Sequence, residues 1–146
     1  MILFVCTGNT CRSPMAELYF NYCRKLAGKS ACAASCGIAT ANGLSISENA
    51  AKVMEQFGID SSTFRSTRAN RDLLDKAEAI FTMSSSHKRA IEAAYPEFSE
   101  KISTLLDRMD VDDPYGMDFN AYMETFNMMK DKIEFLAKKT SSYQEK

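Results

Sequence analysis

A single histidine, His87, occurs in the 146 residues, so a His-rich metal site is excluded. Net charge is equally scant. Eighteen Lys and Arg against nineteen Asp and Glu leave −1, which argues against a broad basic face for nucleic acid, and any attraction for an anion must be local. No apolar run approaches the roughly 20 residues of a membrane span, and the apolar start, Met1 to Cys6, is too short for the core of a secretory signal. Five cysteines, odd in number and without metal-ligand spacing, fit a reducing compartment better than a disulfide framework. Internal repeats, low-complexity tracts and interdomain linkers are missing as well. The expectation is a soluble, cytoplasmic chain folded as one domain over 1–146, with no nucleic acid or membrane as partner and no cofactor.

What is present is an ordinary globular composition, 45% hydrophobic and 25% charged, with elements that alternate. Ile2 to Val5 is short, continuous and apolar, which predicts a buried strand, and Ser13 with Pro14 suits a helix N-cap and first turn. Met15, Leu18, Tyr19, Tyr22 and Leu26 recur at helical spacing up to Gly28. A second strand is expected over Ala31 to Ile38, then a helix to about Phe57 opened by a Ser45/Glu48 capping box. The polar stretch Asp60 to Arg71 is expected to hold loop and short helix. Strands follow at Ala79 to Met83 and Ile102 to Leu106, with a helix carrying His87 and Ile91 between them and a polar loop over 107–117 after them. Phe119, Tyr122, Met123, Phe126, Met129, Ile133 and Leu136 mark a long last helix, and the ending TSSYQEK is expected to fray. This order predicts the α/β class: a three-layer single domain, its central four-stranded parallel sheet covered by helices on both faces, with ligands beyond the strands' carboxyl ends.

The loop between first strand and first helix carries the chemistry. Cys6 and Arg12 stand at its two ends in VCTGNTCRSP, and Gly8 offers the backbone freedom to curl. Backbone N–H groups in such a turn converge on a tetrahedral oxyanion, and the helix dipole favours the same anion. That field should also hold a thiolate, bringing Cys6 well below the roughly 8.5 of a free thiol. Arg12 can make two parallel bonds to phosphate oxygens, and Ser13 can donate to the sulfur. If Cys6 attacks phosphorus in line, the leaving group needs a proton, for which Asp113 is the candidate donor and later the base that activates water. The guanidinium and oriented backbone dipoles supply the electrostatic work otherwise done by a metal.

Residues 6 to 17, CTGNTCRSPMAE, closely resemble the phosphate loop of the low molecular weight protein tyrosine phosphatases, which carry Cys-x5-Arg-Ser near the N-terminus. A second family feature, an Asp-Pro pair about a hundred residues on, is matched by Asp113 and Pro114 in VDDPYG. The resemblance spans nearly the whole chain and implies a phosphoprotein phosphatase that works through a phosphocysteine on Cys6, with Arg12 on the phosphate and Asp113 as general acid and base. Asp113 is preferred over Asp112 because the family's aspartate directly precedes proline. Thr7, Gly8, Asn9, Thr10, Cys11 and Ser13 would cradle the substrate, and Tyr115 would present the family's aromatic wall. Asn9 resembles the family's loop asparagine, which tolerates unusual backbone geometry and braces its neighbours, in keeping with its capacity for left-handed conformations. Cys11 is either a small buried filler or a partner for Cys6 under oxidation. The implied partners are phosphorylated proteins or peptides, with inorganic phosphate as product.

Two substrate readings stand side by side. Many tyrosine-directed relatives carry isoleucine where this chain has Thr10, whereas threonine there resembles the bacterial protein arginine phosphatase branch. Ala39 to Asn42 also lacks the aromatic that many tyrosine-directed members place beside the phenol. Resembling arsenate reductases need further redox cysteines, and none follows Cys36. A non-catalytic phosphoprotein-binding module would have no need of Cys6 or Asp113. His87 is expected to be structural or exposed.

Overall fold

The structure is a computed structural model that describes residues 1–140; residues 141–146, within the expected frayed end, lie outside the described residues. Its elements are β1 (Ile2–Cys6), α1 (Arg12–Leu26), β2 (Ala33–Gly37), α2 (Glu48–Gln56), α3 (Arg71–Lys76), β3 (Ala79–Thr82), α4 (Ser85–Ala94), a 3-10 segment (Pro96–Lys101), β4 (Ile102–Thr104) and α5 (Phe119–Lys139). The four strands form one sheet in the order β2-β1-β3-β4, and every pairing is parallel. This is the α/β architecture expected of the alternation.

Period-two alternation along β1 divides the core. Ile2, Phe4 and Cys6 join Met15, Phe20, Val53, Met54, Phe126 and Met129 on one face, covered by α1, α2 and α5. Leu3 and Val5 join Leu74, Ile80 and Ile91 on the other, covered by α3 and α4. The whole of β1 is buried, as a central parallel strand must be. Tyr122, Phe126, Met129, Ile133 and Ala137 supply the buried stripe of α5 at the predicted helical spacing. Each large apolar side chain buried this way contributes about 1.5–3 kcal/mol.

Several boundaries differ from expectation. The cap of α2 is Ser47, not Ser45: its hydroxyl accepts from Ala50 N–H, while its own N–H donates to Thr10 O at 2.9 Å, so a tertiary bond selects the capping serine. β2 is shorter than Ala31 to Ile38 because Asn21 Oδ1 takes the N–H groups of Cys32 and Ala33 at 3.0 and 2.9 Å. β4 stops at Thr104, where the chain bends and Thr104 Oγ1 donates to Leu106 O at 2.9 Å. The short helix α3 starts at the end of the polar stretch rather than within it, capped by Asn70.

Candidate active site

The carboxyl end of β1 delivers Cys6 directly into the loop, and α1 begins at Arg12 with Cys11 in the N-cap position and no side-chain cap. Ser13, expected as the cap, lies inside the first turn, and its hydroxyl sits 2.8 Å from Cys6 Sγ. The backbone reversal is made at Asn9, with φ of 55°, and Gly8 is not left-handed. The conformational freedom expected of Gly8 is therefore not what the turn uses. Asparagine is among the few residues other than glycine that adopt this region readily.

Hydrogen-bond inventory fixes how the loop is braced. Asn9 is fully buried, and its Oδ1 accepts from Thr67 N–H at 2.8 Å. Its Nδ2 therefore faces Ser13 Oγ at 2.8 Å and Ser35 Oγ at 2.9 Å, donating to both. Ser13, accepting from Asn9, keeps its hydroxyl proton free to donate to the sulfur when Cys6 ionises. Ser35 donates onward to Glu17 Oε1 at 2.6 Å. Asn9 N–H also lies 3.3 Å from Cys6 Sγ. Gly37 closes the other side, where a Cβ would meet Thr7 O at 2.6 Å; only glycine lets β2 approach this closely.

Arg12 is buried, with Nη1 donating to Val111 O at 3.0 Å and Nη2 3.7 Å from Asp113 Oδ2. Val111 is itself held by its N–H on Met83 O at 2.8 Å, so Arg12 joins the Cys6–Arg12 loop to the loop that follows β4 and carries Asp113. Asp113 Oδ1 accepts from Tyr115 N–H at 3.1 Å. Between these groups lies a pocket of about 220 Å³ lined by Cys6, Thr7, Gly8, Thr10, Cys11, Arg12, Asp113 and Tyr115. Asp112 does not line it, nor do Asn9 and Ser13, which brace the loop from behind. A larger cleft of about 620 Å³, lined by residues from Ser45 to Arg65, contains no cysteine or histidine.

Electrostatics at the sulfur differ from expectation. Burial pushes the Cys6 thiol up, while the Ser13 hydroxyl and amide, the Arg12 guanidinium and the Asn9 amide pull it down without overcoming burial. The expectation of a lowered thiol weighed the field of the loop and left out desolvation.

A family model described as low molecular weight phosphotyrosine protein phosphatase matches residues 1–145. The chain belongs to this family. A protein-arginine-phosphatase of Geobacillus stearothermophilus is 34% identical over 98% of this chain and 97% of its own. A low molecular weight protein-tyrosine-phosphatase of Staphylococcus aureus is 36% identical over 86% of this chain and 88% of its own. Among solved structures, the low molecular weight protein tyrosine phosphatase from T. tengcongensis superposes with a TM-score of 0.89 at 40% identity, covering 95% of this chain and 98% of that one.

In this phosphatase the structure brings Cys6, Arg12, Asp113, Thr7, Gly8, Thr10, Cys11 and Tyr115 to one pocket from positions over a hundred residues apart. Cys11 Sγ lies 3.3 Å from Tyr122 OH and 3.6 Å from Ser47 Oγ, and both Cys6 and Cys11 are free thiols. Sequence reasoning missed Ser35 and Glu17, which carry no local motif. His87, expected to be structural or exposed, is buried at the start of α4, with its ring nitrogens 2.7 and 2.9 Å from the Thr7 and Ser84 hydroxyls.

Glu17 yields a stability prediction. Burial raises its carboxyl from 4.5 to about 7, against the opposing Ser35 bond. The folded protein therefore keeps a proton that the unfolded chain has lost. That stabilisation is complete below about 4.5 and declines as pH rises through about 7. Glu17→Gln is expected to remove this slope, on the order of 2 kcal/mol, in urea unfolding at pH 5 and pH 8. Unchanged slopes would show that Glu17 does not carry the proton.

Proposed function

We propose that the protein hydrolyses phosphoryl groups from phosphorylated proteins through a phosphocysteine intermediate on Cys6. The observation that carries this reading is the convergence of the Cys6 sulfur, the buried Arg12 and the Asp113 carboxylate, 3.7 Å from Arg12 Nη2, on one small pocket. Cys6 attacks as a thiolate, its proton having passed to solvent, and the S–P bond forms as the bond to the leaving oxygen or nitrogen breaks. Protonated Asp113 gives its proton to that leaving atom. The resulting carboxylate then takes a proton from water as its oxygen attacks phosphorus, the S–P bond breaks, and inorganic phosphate departs. Arg12 and the loop amides hold the equatorial oxygens throughout. The same reading places the protein in the cytoplasm, where its free thiols stay reduced; no described helix is long and apolar enough to cross a membrane.

Phosphotyrosine and phosphoarginine are both carried forward as substrates. Family membership favours the first. Thr10 in the pocket wall and the arginine-phosphatase relative favour the second, since a hydroxyl offers a planar guanidinium a polar contact. Phosphate release from matched phosphotyrosine and phosphoarginine peptides, with chelator present, tests the proposal. Thr10→Ile is expected to shift the ratio of efficiencies toward phosphotyrosine by about 10-fold or more. An unchanged ratio removes Thr10 as a determinant, and release from neither peptide removes the phosphatase reading.

A further inference from the structure

His87 is the only histidine in the chain and is 4% exposed, in the first turn of α4 on the side of the active pocket. Its Nε2 lies 2.7 Å from Thr7 Oγ1, and Thr7 is the residue after the nucleophile and part of the pocket wall. Its Nδ1 lies 2.9 Å from Ser84 Oγ, the hydroxyl that caps α4 by accepting from His87 N–H. Burial, helped by Arg12 and opposed by Asp110 and Asp113, lowers the imidazole to about 4. The ring is therefore neutral at physiological pH, and one nitrogen donates while the other accepts.

The turn that His87 occupies also holds the acid loop. Ser85 N–H donates to Asp110 Oδ1 at 2.9 Å, and Met83 O accepts from Val111 N–H at 2.8 Å. Resting on the catalytic reading above, we infer that His87 is a positioning residue for the reaction: it ties Thr7 of the phosphate loop to the turn that carries the Asp113 loop. This link lies on the opposite side of the loop from the Asn9 brace and is independent of the Arg12 bond to Val111. Without it Thr7 would lose its fixed rotamer and the pocket wall its register against the acid.

The test is steady-state kinetics of the full chain on a phosphotyrosine peptide or, should phosphoarginine prove the substrate, its phosphoarginine match. The variants are His87→Ala, His87→Gln, His87→Asn, Thr7→Val and the Thr7→Val/His87→Ala pair. A glutamine amide can reach the position of Nε2, whereas asparagine reaches only that of Nδ1. His87→Ala is expected to raise KM about 5- to 20-fold, with His87→Gln restoring most of the loss and His87→Asn little. The double variant should be no worse than the poorer single one, since both remove one bond. Wild-type kinetics for His87→Ala, equal rescue by Asn and Gln, or additive losses would each overturn the inference. If His87→Ala does not fold, the comparison of Gln with Asn decides. If the wild type releases no phosphate, the catalytic reading fails separately. The link is then read from protection of Cys6 against iodoacetamide by inorganic phosphate, which His87→Gln should preserve and His87→Asn should weaken; equal protection would overturn it.

Discussion

Cys6→Ser is expected to lower turnover of the preferred phosphopeptide by on the order of 10^4-fold or more, with inorganic phosphate still bound at nearly wild-type affinity. The separation follows from how the site is built. In the proposed mechanism phosphate is held by Arg12 and the loop amides, and Asn9 braces that loop through Thr67, Ser13 and Ser35. None of these contacts requires sulfur. What serine cannot supply is a nucleophile that ionises as readily as a thiol: the Ser13 hydroxyl 2.8 Å away assists a thiolate but cannot bring an alkoxide into range. Phosphate release and calorimetric phosphate binding measured on the same preparation check both halves. Turnover equal to wild type would remove the covalent mechanism, and loss of phosphate binding would show that the sulfur shapes the loop.

Arg12→Lys is expected to reduce kcat/KM by about 10^2- to 10^3-fold, although the charge is kept. The guanidinium donates to Val111 O through Nη1 at 3.0 Å and faces Asp113 through Nη2, and in the proposed mechanism it also binds the phosphate. An ammonium is a single point of charge and cannot keep the acid loop in register while forking onto two phosphate oxygens. Arg12→Ala adds a second effect. It removes one of the influences that pull the Cys6 thiol down against burial, so the pH midpoint of Cys6 alkylation is expected to move upward in the alanine variant more than in the lysine one. Equal kcat/KM for Arg12→Lys and wild type would mean that charge alone suffices.

The parts of this protein that could be read from sequence are those whose cause is local. Ile2 to Val5 announces a central strand by its unbroken apolar run. The α5 stripe follows from spacing alone, and the whole phosphate loop lies within seven residues. Asp113, which the structure places in the pocket lining with Cys6 and Arg12, is marked in the sequence by the Asp-Pro pair. The readings that failed were decided at a distance. Ser47 displaces Ser45 as a cap because Thr10 O takes its N–H. The left-handed turn at Asn9, by contrast, agrees with the capacity expected of that asparagine, and Thr67, 58 residues on, satisfies its side-chain carbonyl. The protonation of Cys6 depends on how completely the sheet and helices bury it. The contacts of His87 and Glu17 come from partners 80 and 18 residues away, for which no periodicity or spacing rule gives warning.

The sheet order β2-β1-β3-β4 carries a consequence for how the protein is made. β1 leaves the ribosome first, yet one of its two neighbours is β3, beginning at Ala79, and the Arg12 fork closes on Val111. During synthesis at about 5–20 residues per second, the reactive cysteine therefore spends several seconds in a chain that cannot yet shelter it. For that interval its thiol is an ordinary exposed one, open on every side, whereas in the finished fold it is buried and reached only through the pocket it lines. Restricted access to the sulfur is thus a property acquired late, when the loop carrying Asp113 emerges and its side chain joins the pocket wall.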